Sequence, residues 1–273
     1  MKKILALSLA AMLALSIVGC SKNEDTTLGD ADDGVEVIED AVVAYEGHTF
    51  GYSVNEDGDY EITSVNYTGA DMIDIKIPES IDGRPVSGIA ADAFKADVFI
   101  KSVVILSSVT YISDFAFYGC TGITEIVIPN SVTEIGQGAF RDCTALAKIT
   151  FSNTLKTIDN YAFWNCSALE AIAIPATVET IGDGAFFNCV KISEVVVPAS
   201  VKTVGIAAFF YCDALTKVTF EGNEVKFPVD ADEAYEDVFD NHSESLVIVA
   251  AKDSSAAKYA EANNIQHQEP AAE

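Results

Sequence analysis

Between Gly122 and Cys143 the chain reads GITEIVIPNSVTEIGQGAFRDC, and its apolar positions return further along in fixed columns. One column holds Ile123, Leu146, Leu169, Ile192 and Leu215; the next holds Ile126, Ile149, Ile172, Val195 and Val218. A third holds Ile128, Phe151, Ile174, Val197 and Phe220. The last two columns lie two residues apart, so an extended strand puts both on one face. Pro129, Pro175 and Pro198 end these strands, and a polar column of Ser108, Ser131, Thr154, Thr177, Ser200 and Asn223 follows, placed to bond loop amides. A second apolar pair, Val132 and Ile135 in this unit, leads through a small or turn-forming residue (Gly136, Asp159, Gly182, Gly205) to Ala139-Phe140 and Cys143. Ala-Phe recurs from Ala93-Phe94 to Ala208-Phe209, each 23 residues after the last, and a cysteine stands three residues beyond every one of these phenylalanines except the first. Such a period, kept without insertion, predicts stacked repeats in a solenoid. Roughly six large apolar side chains per unit, each stabilising by about 1.5–3 kcal/mol when buried, supply its core.

The repeats span 70–222 and are bounded by less regular sequence. Residues 45–69 alternate apolar and polar around Asn55-Glu56-Asp57-Gly58-Asp59, which predicts a β-hairpin capping the first rung. Asn55, Asp57, Asp59 and Glu61 carry oxygens a calcium ion could use, without the rest of a loop signature. The first unit, Ile73 to Phe94, has five extra residues near Gly83-Arg84-Pro85. Residues 223–268 form a divergent repeat and cap: Val238-Phe239 stands for a seventh Ala-Phe, Leu246 to Val249 is a last strand, and Asp253 to Asn264 is a helix started by Asp253 or Ser254. Ala257, Tyr259, Ala260 and Ile265 are expected to close the core, and 269–273 is a tail.

The beginning changes the picture of where the protein works. Residues 1–19 have a basic start at Lys2 and Lys3 and an apolar stretch from Ile4 to Val18, the plan of an export signal. Ile17-Val18-Gly19-Cys20 resembles a bacterial lipobox, which implies acylation of Cys20 and membrane attachment through its acyl chains; ordinary secretion is the alternative. Residues 20–44 are acidic and nearly free of bases and aromatics, which predicts a flexible linker. The formal charge is −26, and −28 once Lys2 and Lys3 are removed with the leader. That charge repels phosphate backbones, and no basic stripe offsets it, so nucleic acid is not an expected partner.

The pattern L-x-x-I-x-I-P-x-S-V-x-x-I-G-x-x-A-F-x-x-C, over about Tyr45 to Gln268, resembles the BspA-like leucine-rich repeat family of bacterial surface proteins. The resemblance implies a curved right-handed solenoid, mainly β, with short strands on both faces. It also implies surface display and adhesion to host proteins or other cells, and it carries over no catalytic or ligand residues.

Cys120, Cys143, Cys166, Cys189 and Cys212 occupy one column and should stack about 4.8 Å apart. Parallel side-chain directions oppose disulfide geometry, so the expected state is a core thiol ladder, with disulfides second. Histidine lies only in or beside the caps, so no metal site or cofactor is expected. No nucleophile–base pair or phosphate loop appears, and the expected role is binding without catalysis. The candidate ligand face is the outward row Val104, Val127, Thr150, Ala173, Val196 and Thr219, flanked by Glu125, Lys148, Ala171, Glu194 and Lys217. A weaker candidate is the flank of Tyr118, Trp164, Phe187 and Phe210, beside Lys95 and Arg141. Expected partners are host or bacterial surface proteins or glycans. The alternative is an envelope-internal scaffold or accessory ligand-binding subunit beneath the cell wall, since about 25 flexible residues reach only about 25–30 Å.

Overall fold

The computed structural model describes residues 41–69, 71–228, 237–239 and 244–271. The leader, Cys20 and the linker as far as residue 40 lie outside the described residues. Val37–Glu273 is one compact unit, and its hydrophobic core runs without a break from Phe50 to Ile265.

The turns of the solenoid lay strands on two faces, the turn of Ala171 contributing only a single bridge to the first. On the first face Ile73–Lys76 pairs in parallel with Ile100–Val104, Glu125–Val127 with Lys148–Thr150, and Glu194–Val197 with Lys217–Phe220. Val247–Val249 and then Gln266–Gln268 continue this last ladder. On the second face Arg84–Ile89, Tyr111–Ile112, Glu134–Ile135, Thr157–Ile158, Thr180–Ile181 and Thr203–Val204 follow one another in a single parallel register. The Ala-Phe segments bond rung to rung as well: the Phe117, Phe140, Phe163 and Phe186 amides donate to the Ala139, Ala162, Ala185 and Ala208 carbonyls at 2.8–2.9 Å. The second strand is only two residues long because only its inward residue is apolar; the strand ends once that residue is buried.

Seven phenylalanines stack through the interior, Phe94, Phe117, Phe140, Phe163, Phe186, Phe209 and Phe239, with neighbouring centroids 5.0–5.6 Å apart. Phe239 thus takes the place expected of a seventh Ala-Phe, and Phe209 donates its amide to the Val238 carbonyl.

The N-terminal hairpin forms from His48–Val54 and Tyr60–Asn66. A third antiparallel strand, Ala41–Tyr45, precedes it, and its first four residues fall in the stretch assigned to the linker by composition. Val43 and Tyr45 pack against the core, which offsets the cost of ordering those residues. The five extra residues of the first unit make a small hairpin, Ser80–Ile81 against Arg84–Ile89, turning through positive φ at Asp82 and Gly83. At the C-terminus the helix is Ser255–Ala262, capped by the Ser254 hydroxyl, which accepts the Ala257 amide. Ser254 is one of the two starts expected; Ala256, not Ala257, shares the buried face with Ala260, because residues four apart lie on one side of a helix. Gln266–Gln268 is a further strand that its polar sequence did not announce.

The polar column bonds differently from the expectation. The single Thr154 hydroxyl proton is shared between the Asn130 and Val132 carbonyls (2.9 and 3.1 Å), and Thr177 donates to the Leu155 carbonyl (2.8 Å), so these hydroxyls serve carbonyls and not loop amides. The buried Ser108, Ser131 and Ser200 hydroxyls have no partner among the described residues.

Candidate binding faces

The first strand face presents the predicted row. Val104, Val127 and Val196 are 49%, 60% and 48% exposed, unusually open for β-branched apolar residues in a folded chain. Thr150 and Ala173 are exposed and Thr219 is half-buried. Strand alternation explains the arrangement: Ile126, Ile149, Ile172, Val195 and Val218 turn inward and are buried, so their neighbours must face out. Beside the row, Glu125 and Lys148 are register partners, Lys148 bridges to Ala171, and Glu194 pairs with Lys217, with an ion pair at 4.0 Å. Strand pairing lapses between Val104 and Glu125 and again between Ala171 and Glu194, but the second face holds those rungs in sequence through Tyr111 and Glu134 and through Thr180 and Thr203.

The aromatic flank is a closed stack. Arg141 lies over the Trp164 ring at 5.2 Å and the Tyr118 ring at 5.8 Å, with Lys95 also 5.8 Å from Tyr118. Trp164 and Phe187 stack at 3.6 Å and Phe187 and Phe210 at 5.3 Å, nearly parallel. Phe210 is buried, Tyr118, Trp164 and Phe187 are half-buried, and Tyr211, edge-on to Phe210, is exposed at the end of the run. These side chains spend their faces on one another, which leaves little for a ligand.

Sequence reasoning missed the second strand face. An open groove of about 560 Å³ lies along it, lined among others by Tyr111, Asp114, Glu134, Lys156 and Asp159. A second hollow of about 410 Å³, lined by Asn55, Glu61 and Tyr111 among others, adjoins the hairpin turn. Tyr111 donates to Glu61 and accepts from Asn55, each at 3.0 Å, and burial pushes its hydroxyl up to about 12. The available signal was the 23-residue spacing of Tyr111, Glu134, Thr157, Thr180 and Thr203. Asn55 Oδ1 accepts the Asp57 and Asp59 amides (3.1 and 3.0 Å), so the oxygen suggested for calcium is already spent on the turn.

The five cysteines of the repeat column are free and buried. Each thiol donates to the phenylalanine carbonyl 26 residues earlier, Cys120 to Phe94 and Cys212 to Phe186, at 3.0–3.3 Å through the column. Desolvation pushes every one of them well above the ordinary thiol range, and Cys120 and Cys212 up to about 12. A protonated thiol inside a core is a small apolar group without nucleophilic character.

Residues 87–216 match the BspA type leucine rich repeat region, in six copies. Among solved structures, the chain is similar to a leucine rich repeat protein of T. pallidum, at 33% identity and TM-score 0.46, covering 62% of this chain and 68% of that one. It is also similar to a leucine rich cell surface protein from Faecalibacterium prausnitzii, at 25% identity and TM-score 0.49, covering 67% of this chain and 55% of that one. A leucine-rich repeat protein from Eubacterium ventriosum is 31% identical with TM-score 0.50, covering 60% of this chain and 44% of that one. The chain therefore spans about half the length of the latter two. No curated protein matches it.

Proposed function

Since the chain belongs to the BspA-type leucine-rich repeat family, we propose that it is a non-catalytic binding module displayed at the bacterial surface and held to the membrane through acyl chains on Cys20. The observation that carries this reading is the exposed valine row on the first strand face. Exposed apolar side chains arranged in a line on a rigid sheet favour an extended or flat partner, a protein or glycan of a host or neighbouring cell. The scaffold supports it further: a core of stacked phenylalanines and bonded thiols keeps the row in place at no cost to the ligand.

The test is a pull-down with residues Val37–Glu273 against host matrix proteins and against the cell's own envelope fraction. A specific capture that Val127→Glu with Val196→Glu abolishes, while the circular dichroism spectrum is unchanged, is the expected result. Capture insensitive to that pair would move the site off this face. Protease shaving of intact cells addresses display, since a domain that is never released lies beneath the wall.

A further inference from the structure

The first strand face is close to self-complementary about its middle. Its middle rung is that of Ala171 and Ala173: four rungs precede it from Asp74 and Lys76, and four follow, ending at Gln266 and Gln268. Reversed about Ala171, the flanking row sets Glu125 opposite Lys217 and Lys148 opposite Glu194. Reversed about Ala173, the apolar row sets Thr150 opposite Val196 and Val127 opposite Thr219. Outside these, Val104 meets Val249 and Asp74 meets Gln266, so no two like charges face each other. The two alanines at the centre leave no bulky side chain on the axis of reversal.

We propose that this face pairs with a second copy of the same chain, the two sheets packed face to face about a two-fold axis along the strand at Ala171 and Ala173. An isologous contact demands this property, that the surface be complementary to itself after rotation. Alternating charge also suits the stacking of rungs within one chain, and Glu194 with Lys217 uses it so. Glu125 and Lys148, however, form no ion pair among the described residues although they are register partners, and their charges stay free for another molecule. The proposal rests on the reading of this face as a binding surface and names its partner.

Size sets the strength. These rungs, at about 4.8 Å spacing and about 10 Å of strand, give a face of order 400 Å² per copy. A stable interface takes about 800 Å² per partner. The pair is therefore weak in dilute solution and gains from the high local concentration of molecules held at a membrane. The rotation points the two N-terminal ends in opposite directions, the arrangement in which chains anchored in apposed membranes would meet.

The experiment uses Val37–Glu273 in three forms: unaltered, with Glu125→Lys and Glu194→Lys, and with Lys148→Glu and Lys217→Glu. Sedimentation velocity over a concentration series extending to the millimolar range reads the association, and circular dichroism confirms that all three fold. The unaltered chain should sediment faster as concentration rises, less so at high salt. Each charge variant alone should stay monomeric, and an equimolar mixture of the two should regain association. A mixture that remains monomeric, or variants that associate alone as well as the unaltered chain, would overturn the proposal. An unaltered chain that is monomeric throughout yet captures an envelope component through the valine row would also overturn it, while leaving the binding reading intact.

Discussion

Ala96 sits at φ 59°, in a column where successive rungs place Gly119, Asp142, Asn165, Asn188 and Tyr211, all left-handed. Asn165 and Asn188 use the position well, since each donates its side-chain amide to the preceding member of the column at 2.7 Å. Alanine gains nothing there and carries a Cβ that the left-handed region penalises by about 1–2 kcal/mol. Ala96→Gly should therefore raise stability by about 1 kcal/mol after the greater flexibility of the unfolded chain is deducted. Urea unfolding measures this directly, and an equal or lower midpoint would show that the strain is relieved elsewhere. A second left-handed column passes through Phe115, Tyr161 and Ala207. Glycine, asparagine and aspartate at Gly119, Asp142, Asn165, Asn188, Gly138 and Gly184 carry a turn signal in both columns, but Ala96, Phe115, Tyr161 and Ala207 interrupt it; there the neighbouring rungs impose the backbone.

The thiols give a residue-scale prediction with a definite sign. In the unfolded chain they lose protons from about their ordinary value of 9.0 upward, whereas in the fold Cys120 and Cys212 hold theirs to about 12 and the three between them are also pushed well up. Above pH 9 the unfolded chain thus binds fewer protons than the folded one, and stability falls with rising pH. It is present in full below about 9 and declines towards about 12, by up to about 1.4 kcal/mol per pH unit for each thiol. Unfolding followed from neutral to alkaline pH should show that decline, shallower in Cys166→Ala. A flat profile would mean that the thiols open to solvent without global unfolding.

At the scale of the element, the phenylalanine stack was the most legible feature of all, because a constant spacing in sequence becomes a constant spacing in space only when every turn has the same length. Phe140 and Phe163 lie 5.4 Å apart and nearly parallel, while Phe117 and Phe186 are separated by two intervening rings. Repeat solenoids draw their stability from nearest neighbours. Phe140→Leu and Phe163→Leu should thus be non-additive, with a coupling of about 0.5–1.5 kcal/mol, the value of a well-placed aromatic pair. Phe117→Leu with Phe186→Leu should add within about 0.5 kcal/mol. Equal coupling in both cycles would instead make the stack one rigid unit. The hollow between Tyr111 and the hairpin turn was illegible by comparison. Its walls come from a hairpin turn and a strand some fifty residues apart in sequence, brought together by the bonds of Tyr111 to Asn55 and Glu61.

For the molecule as a whole, a solenoid's repeats cannot end themselves: each rung exposes an apolar cross-section and an unpaired strand edge to the next position. Here the last rung is closed by residues that the repeat pattern does not contain. The helix Ser255–Ala262 buries Ala256 and Ala260, and its Tyr259 ring stacks on Phe227 at 4.3 Å and meets Phe239 edge-on at 6.0 Å. Gln266–Gln268 then covers the edge of Val247–Val249 with side chains that are all exposed and polar, and His267 bonds the Ala250 carbonyl at 2.9 Å. Ending the chain after Ala250 would leave Leu246, Ile248 and Phe239, now fully buried, at a bare end beside an open strand edge. Such a chain should lose several kcal/mol, since each uncovered large side chain forfeits about 1.5–3 kcal/mol. It should also aggregate through that edge. Light scattering and urea unfolding read both effects; placing charged residues at Val247 and Val249 of the shortened chain should suppress the scattering without restoring the midpoint. If the shortened chain stayed monodisperse and as stable as the parent, the helix and the polar strand would be ornaments of the solenoid and its true cap would have to lie in the rung of Phe239.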